Sequence, residues 1–450
     1  MEFGQYLAIA MFLLFIASLF LGFPVAWTLG GLAITFTVLA WACDTVFDTS
    51  SGVNWAFTSG IVDRMWDTMK NWVLVALPMF IYMGIMLDKS GMAEDMMDNF
   101  VKLFGGLRGG MALVVCVIGV LLAASTGVVA ASVTMLAVLA LPAMLNLGYD
   151  KSLATGTVGA VGTLGILIPP SIMLVLMADR LALSAGDLFM GALIPGLMLG
   201  AFYMIYIVIY CWLKPEAGPV PKNREPITPK VIWGVIKAAV PALFLIVAVL
   251  GSMFFGIATP TEASGIGALG AMILAATKGR LNWAVFKDTG IQTTRMTGFI
   301  FGIFLGATAF SLVLRGLGGD DVVEMGLKAL PLSPDGIVIA VMLIVFVLGF
   351  FLDWIEITLI ILPLVGPVVK ALGFDLTWFC VLMAIVLQSS FLTPPVGFTL
   401  FYLKGVAPPG VTTRDIYKGI IPFVAIIGLT VVMVYVWKDL ALWLPSVAYK

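Results

Sequence analysis

The sequence predicts an all-α polytopic membrane protein built from two inverted repeats, each with five crossings, one of them broken, and a re-entrant hairpin. Three observations predict it. Of 450 residues, 61% are hydrophobic and 11% charged, and apolar runs of about 18 or more residues, the length that crosses a hydrocarbon core of about 30 Å, recur along the chain. The chain also repeats itself at a constant offset of 225, with Pro142, Gly148, Asp150, Pro169 and Pro170 recurring as Pro367, Gly373, Asp375, Pro394 and Pro395. Finally, each repeat interrupts an apolar segment with a double proline, in "VGTLGILIPPS" (Val161 to Ser171) and "SSFLTPPV" (Ser389 to Val396).

The elements follow in order. Tyr6 to Leu21 lacks a basic leader and runs on into apolar sequence, so it reads as a retained helix rather than a cleaved signal. Ala26 to Ala42 and Val73 to Met86 are the next crossings. Gly110 to Ala124 and Ser132 to Leu147 are shorter and are separated by "STGVV"; they read as the arms of a hairpin, 110–147, that enters and leaves by one side. Leu153 to Leu183 is one broken crossing, two half-helices joined at "LGILIPPS". Leu188 to Leu213 closes the first repeat, 1–213, and the hydrophilic "KPEAGPVPKNREPITPK" (214–230) links it to the second, 231–450. There the hairpin maps to 335–373 and the broken helix to 376–407. "DLFMGALIP" is echoed by "DIYKGIIP", and "SGMAEDMM" by "LGGDDVVEM"; the latter pair read as amphipathic helices along the interface. Five crossings is an odd number, so the repeats are inverted, an architecture of many secondary transporters.

Charge orients this arrangement. Sixteen of the 24 Lys and Arg fall on the side that holds the linker, so the positive-inside bias puts the linker in the cytoplasm and the N-terminus outside. A net charge of −1 offers no basic surface for nucleic acid. The chain has no histidine, which removes Ser-His and Cys-His catalysis and histidine metal ligands. Cys43, Cys116, Cys211 and Cys380 are widely spaced in or beside apolar runs and read as small core residues. "YD" at Asp150 and "GLGGD" at Asp320 loosely match the aspartate motifs of intramembrane proteases, but the topology puts the two carboxyls at opposite faces, whereas a proton-sharing pair must lie within about 3 Å. The chain reads as no enzyme.

A helix broken in hydrocarbon strands backbone groups, and such breaks persist only where protein, ions or cavity water satisfy them. The prolines of "GILIPPS" remove two donors, leave the carbonyls of Gly165 to Ile168 free and start a new half-helix. Free carbonyls suit a small hard cation, and a half-helix N-terminus suits a carboxylate. "SSFLTPPV" adds the hydroxyls of Ser389, Ser390 and Thr393. The ladder Gly156, Gly159, Gly162 and Gly165 has no strand before it, so it reads as close helix packing rather than a nucleotide loop. At the second hairpin tip, Asp353 and Glu356 are carboxylates placed deep in the membrane, where ionisable groups are functional by default. Asp353 either ligates a cation or orients its shell; Glu356 either contacts substrate or pairs within the protein.

"GTLGILIPPS", "LTPPVGFTLF", "GFFLD" and the G-(F/Y)-D punctuation resemble the large membrane subunit of tripartite ATP-independent periplasmic transporters, in the wider ion-transporter superfamily, across essentially the whole chain. The resemblance implies a Na+-driven elevator, in which a transport domain carrying both hairpins and both broken helices slides against a scaffold. It implies as partners a small four-helix membrane subunit and a periplasmic substrate-binding protein that delivers an organic acid, all at a bacterial inner membrane. Carried over by motif, one sodium site uses Ser125, Thr126, Gly165 and Ile168, and a second uses Gly349, Ser390, Thr393 and Val396. Substrate lies near Thr126, Ser171, Asp353 and Thr358. Where the family often has D-P-T at the second tip and a glycine before T-P-P, this chain has Asp353-Trp354-Ile355 and Ser390, a departure that leaves the substrate open. The alternative is a stand-alone sodium-coupled carboxylate carrier or sodium/proton antiporter of the same superfamily.

Overall fold

The computed structural model describes residues 1–126, 129–221, 226–394 and 397–448, and every regular element among them is a helix. Eight helices among them are long and apolar enough to cross a membrane. Large apolar side chains such as Trp27, Phe244 and Phe255 stand exposed, as expected where the solvent is lipid. The chain forms two compact units, each drawing on both repeats: Met1–Trp72 with Arg295–Leu376, and Val73–Thr294 with Thr377–Lys450.

In the first unit, Phe3–Leu19 and Val25–Phe47 are followed by Trp55–Lys70, a helix the sequence reading passed over although Asn54 signals it by accepting the Phe57 N–H. Asp44 closes the loop between the last two, accepting from Thr49 and from both the N–H and hydroxyl of Ser51. Gly306, on the long helix Trp283–Gly316, has no room for a Cβ because the Ala26 carbonyl lies against it. The amphipathic helix Gly319–Lys328 starts from Gly318 at φ 83°, and Asp320 faces Arg315 at 3.5 Å. The second hairpin follows, its arms Pro334–Leu348 and Trp354–Ala371, the latter carrying a π-helical turn at Ile357–Ile361.

The second unit holds the first hairpin and both broken helices. The stretch 110–147, expected to form the hairpin arms, holds the helices Gly110–Thr126 and Val129–Asn146; the second starts three residues before the expected Ser132 and, at 18 residues, is itself long enough to cross. Pro142 sits inside it rather than ending it. The amphipathic helix Met92–Phe104 buries Met92, Met96, Met97 and Phe100, and Asp95 pairs with Lys278 across to the neighbouring helix end. The linker packs at the base of the hairpin, with Gly109 N–H donating to Gly218 O and Asp150 N–H to Ala217 O, both at 3.0 Å.

The repeat is visible in the backbone itself. Gly148 and Gly373 take φ 86° and 87°, and each N–H closes on an equivalent carbonyl, Leu145 and Lys370, at 3.0 Å. The left-handed conformation is why glycine recurs there. Within the second unit the repeats also exchange partners. The first half-helix of broken helix one crosses Thr413–Val436 so closely that a Cβ on Gly156 would meet the Gly419 carbonyl, and one on Gly419 would meet Ser152 O and Gly156 N. The reciprocal crossing brings Thr377 and Val381, the 225-offset equivalents of Ser152 and Gly156, to 3.2 and 3.5 Å from a Cβ on Gly191, the fifth residue of "DLFMGALIP" as Gly419 is the fifth of "DIYKGIIP". Reciprocal contacts of this kind are what a twofold relation produces.

Candidate functional site

Broken helix one runs as an α-helix over Lys151–Gly162, which Asp150 caps at the Leu153 N–H, and tightens to a 3-10 turn at Thr163–Ile166 before it opens. Gly162 and Gly119 make room for this path: a Cβ on Gly162 would strike Val133, and one on Gly119 would strike Val161, so the glycine ladder is a packing surface. Pro169 and Pro170 have no N–H to return to Gly165 and Ile166. Ser171 rescues one of them, its hydroxyl donating to Ile166 O at 2.6 Å. Among the described residues no donor reaches the carbonyls of Gly165, Leu167 or Ile168, although residues 164–178 are all buried. Unpaired carbonyls in a buried segment cost free energy unless a ligand or water meets them. The next helix, Ile172–Arg180, starts two residues after Pro170. The prolines therefore precede the half-helix instead of opening it, and the Ser171 side chain serves the break rather than capping the helix.

Broken helix two is Leu376–Leu392, a gap, and Phe398–Val406. Its hydroxyls line up on the last turn before the gap. Ser389 and Ser390 donate to Val386 O at 2.6 and 3.3 Å, and Thr393 donates to Ser389 O at 2.6 Å. The Ser389 and Thr393 bonds each fix a hydroxyl as a donor, and a hydroxyl oxygen that donates can still accept. Gly397, at φ 50°, starts the second half-helix.

The two breaks are joined by a contact that the sequence reading missed. Gln388, fully buried, donates from Nε2 to the Thr163 carbonyl at 2.9 Å, and Gln388 and Thr163 are themselves separated by the repeat offset of 225. A residue that touches its own equivalent lies on the axis relating the repeats. The signal available was a lone carboxamide inside an apolar crossing.

The other predicted residues fall as follows. Gly165, Ile168 and Ser171 gather at the first break, and Ser390 and Thr393 at the second, all in the second unit. The side chains of Ser125 and Thr126, and all of Val396, lie outside the described residues. Gly349 caps the first arm of the second hairpin, and Asp353, Glu356 and Thr358 begin the second arm, all in the first unit. Half-buried Asp353 accepts the Trp354 N–H at 2.8 Å. Glu356 is 3% exposed, and its Oε2 and the hydroxyl of fully buried Thr358 have no partner among the described residues. Asp150 and Asp320 are accounted for as a helix cap and an ion-pair member.

Chemically, both breaks present neutral oxygens. No group of three or more His, Cys, Asp or Glu that could hold a metal ion occurs among the described residues, and carbonyl and hydroxyl donors suit hard cations rather than transition metals.

The sequence matches the family described as "Tripartite ATP-independent periplasmic transporter, DctM component" over residues 12–440. The chain belongs to that family. It is 29% identical to the C4-dicarboxylate TRAP transporter large permease protein DctM of Vibrio cholerae serotype O1, over 97% of each chain. It is 28% identical to the isethionate TRAP transporter permease protein DctMQ of Oleidesulfovibrio alaskensis, over 92% of this chain and 62% of that longer one. Among solved structures, the YdaH transporter of Alcanivorax borkumensis superposes with a TM-score of 0.63 at 13% identity, covering 84% of this chain and 87% of that one, which shows a shared fold. The large permease is thus a multi-pass membrane component of a bacterial tripartite transporter, and its relatives are named as permeases rather than enzymes.

Proposed function

We propose that this large permease performs sodium-coupled uptake of an organic acid delivered by a periplasmic binding protein, together with a small four-helix membrane subunit. It sits in the inner membrane with its N-terminus periplasmic, as the asymmetry of Lys and Arg supports. The observation that carries the reading is the duplicated break: buried carbonyls at Gly165, Leu167 and Ile168 that no donor reaches among the described residues, and hydroxyls of Ser390 and Thr393 on the equivalent turn. Discontinuous membrane helices of this kind hold coupling cations and carboxylates in secondary transporters, and a domain carrying them that moves against a scaffold gives alternating access. The names of the relatives, C4-dicarboxylate and isethionate, support an organic acid and differ in which one.

Reconstitution in liposomes with the small subunit tests this. Uptake requires both an inward sodium gradient and the added binding protein; full-rate sodium-dependent uptake without binding protein would favour the stand-alone carrier instead, and uptake indifferent to sodium would defeat both. Thr393→Val supplies a local check. It keeps the shape of the side chain and removes one hydroxyl oxygen, so half-saturation by sodium rises about tenfold, the equivalent of about 1.4 kcal/mol, with little loss of stability. Unchanged sodium dependence would remove Thr393 from the site.

A further inference from the structure

The Gln388 carboxamide is costly to keep where it is. It is fully buried, it satisfies one atom on Thr163 O, and its Oε1 makes no hydrogen bond among the described residues. An apolar residue of the same size would avoid that unpaired acceptor, so packing alone does not explain an amide at this position. Its placement offers a different explanation. Thr163 opens the 3-10 turn that leads into the first-break carbonyls that no donor reaches among the described residues. Gln388 immediately precedes Ser389 and Ser390, whose bonds to Val386 and from Thr393 order the second break. Thr163 cannot return the favour, because its own hydroxyl is turned back to Ala160 O at 2.8 Å.

We propose that Gln388 is a positioning residue that couples the two breaks, so that ordering one by a cation lowers the cost of ordering the other. The inference rests on the sodium reading above and adds cooperativity to it. The link is a single hydrogen bond between the last helical turn of one break and the first non-α turn of the other. A contact of this kind turns separate local ordering steps into a shared one, and the coupling is reciprocal by thermodynamic necessity.

The test is binding of radiolabelled sodium to the purified full chain in nanodiscs, with no organic substrate present. The wild-type isotherm is sigmoidal, with a Hill coefficient approaching about 2, the ceiling for two sites. Gln388→Met keeps the length of the side chain without an amide, and Gln388→Asn keeps the amide but is one methylene too short to reach Thr163. Both bind the same number of ions with a Hill coefficient near about 1 and a half-saturation raised about five- to tenfold. A general packing defect would lower the number of sites or the melting temperature without separating the Hill coefficient from stoichiometry. If either folded variant keeps the wild-type coefficient, or the wild type binds two ions non-cooperatively, the coupling is overturned while the sodium reading stands. If the wild type shows no saturable sodium binding, the sodium reading falls, and the coupling with it.

Discussion

Gly156→Leu is expected to prevent the second unit from assembling, seen as loss of the monodisperse species in detergent or a fall in melting temperature of more than about 5 °C. At this crossing the half-helix Lys151–Gly162 and the helix Thr413–Val436 meet backbone to backbone. A Cβ on Gly156 would lie against the carbonyl oxygen of Gly419, and one on Gly419 against Ser152 O and Gly156 N, all inside van der Waals contact. No flexible side chain stands there to swing aside, so the two helices must separate. Overpacking commonly costs about 1–3 kcal/mol even where neighbours can adjust, and here the neighbours are main chain. Gly419→Leu should behave the same way. Gly428→Ala, further along Thr413–Val436, is the control: nothing lies near its Cβ position, and alanine is the better helix former by about 1 kcal/mol. That variant melts at or above the parent temperature. If Gly156→Leu also melts with the parent, the crossing does not exist as described.

The contrast between those two glycines shows which parts of the structure the sequence carries in readable form. Punctuation is readable, because it acts on the backbone locally. The left-handed turns at Gly148 and Gly373 and the missing donors at Pro169 and Pro170 leave a residue-type signature at the place where they act. Those marks gave the sequence reading its breaks and the offset between repeats. Partner choice is not readable. In a membrane the lipid is as apolar as the core, so a helix such as Ala185–Leu213 or Leu376–Leu392 is apolar on every side and carries no stripe to say which face meets protein. Gly156 and Gly428 look alike in sequence, and only the packed structure separates a backbone crossing from an open surface. The Gln388 contact escaped for the same reason, since nothing within one repeat announces which residue of the other it will touch. Ser171 ends the first double-proline motif, and its bond to Ile166 O depends on a path through the prolines that helix-start rules do not describe.

Glu356→Gln is expected to leave the melting temperature unchanged or raise it while transport falls about tenfold, the consequence of about 1.4 kcal/mol. Glu356 stands three residues after Asp353, at the third position of the helical start, where the cap is supplied by the Asp353 side chain accepting the Trp354 N–H. Its Oε2 has no partner among the described residues, in a side chain 3% exposed, and a carboxyl buried in that condition costs stability that a neutral amide avoids in part. It begins an arm that passes directly into the π-helical turn Ile357–Ile361, a distortion often found at functional sites, and the fully buried hydroxyl of Thr358 in that turn likewise has no partner among the described residues. Uncompensated polar atoms kept inside a membrane protein are what a site that meets its ligand only during the cycle leaves behind. Opposite movements of stability and transport in Glu356→Gln, measured by melting and by proteoliposome uptake, separate a role in the cycle from a purely structural one. Equal performance in both assays would leave Glu356 no part in transport.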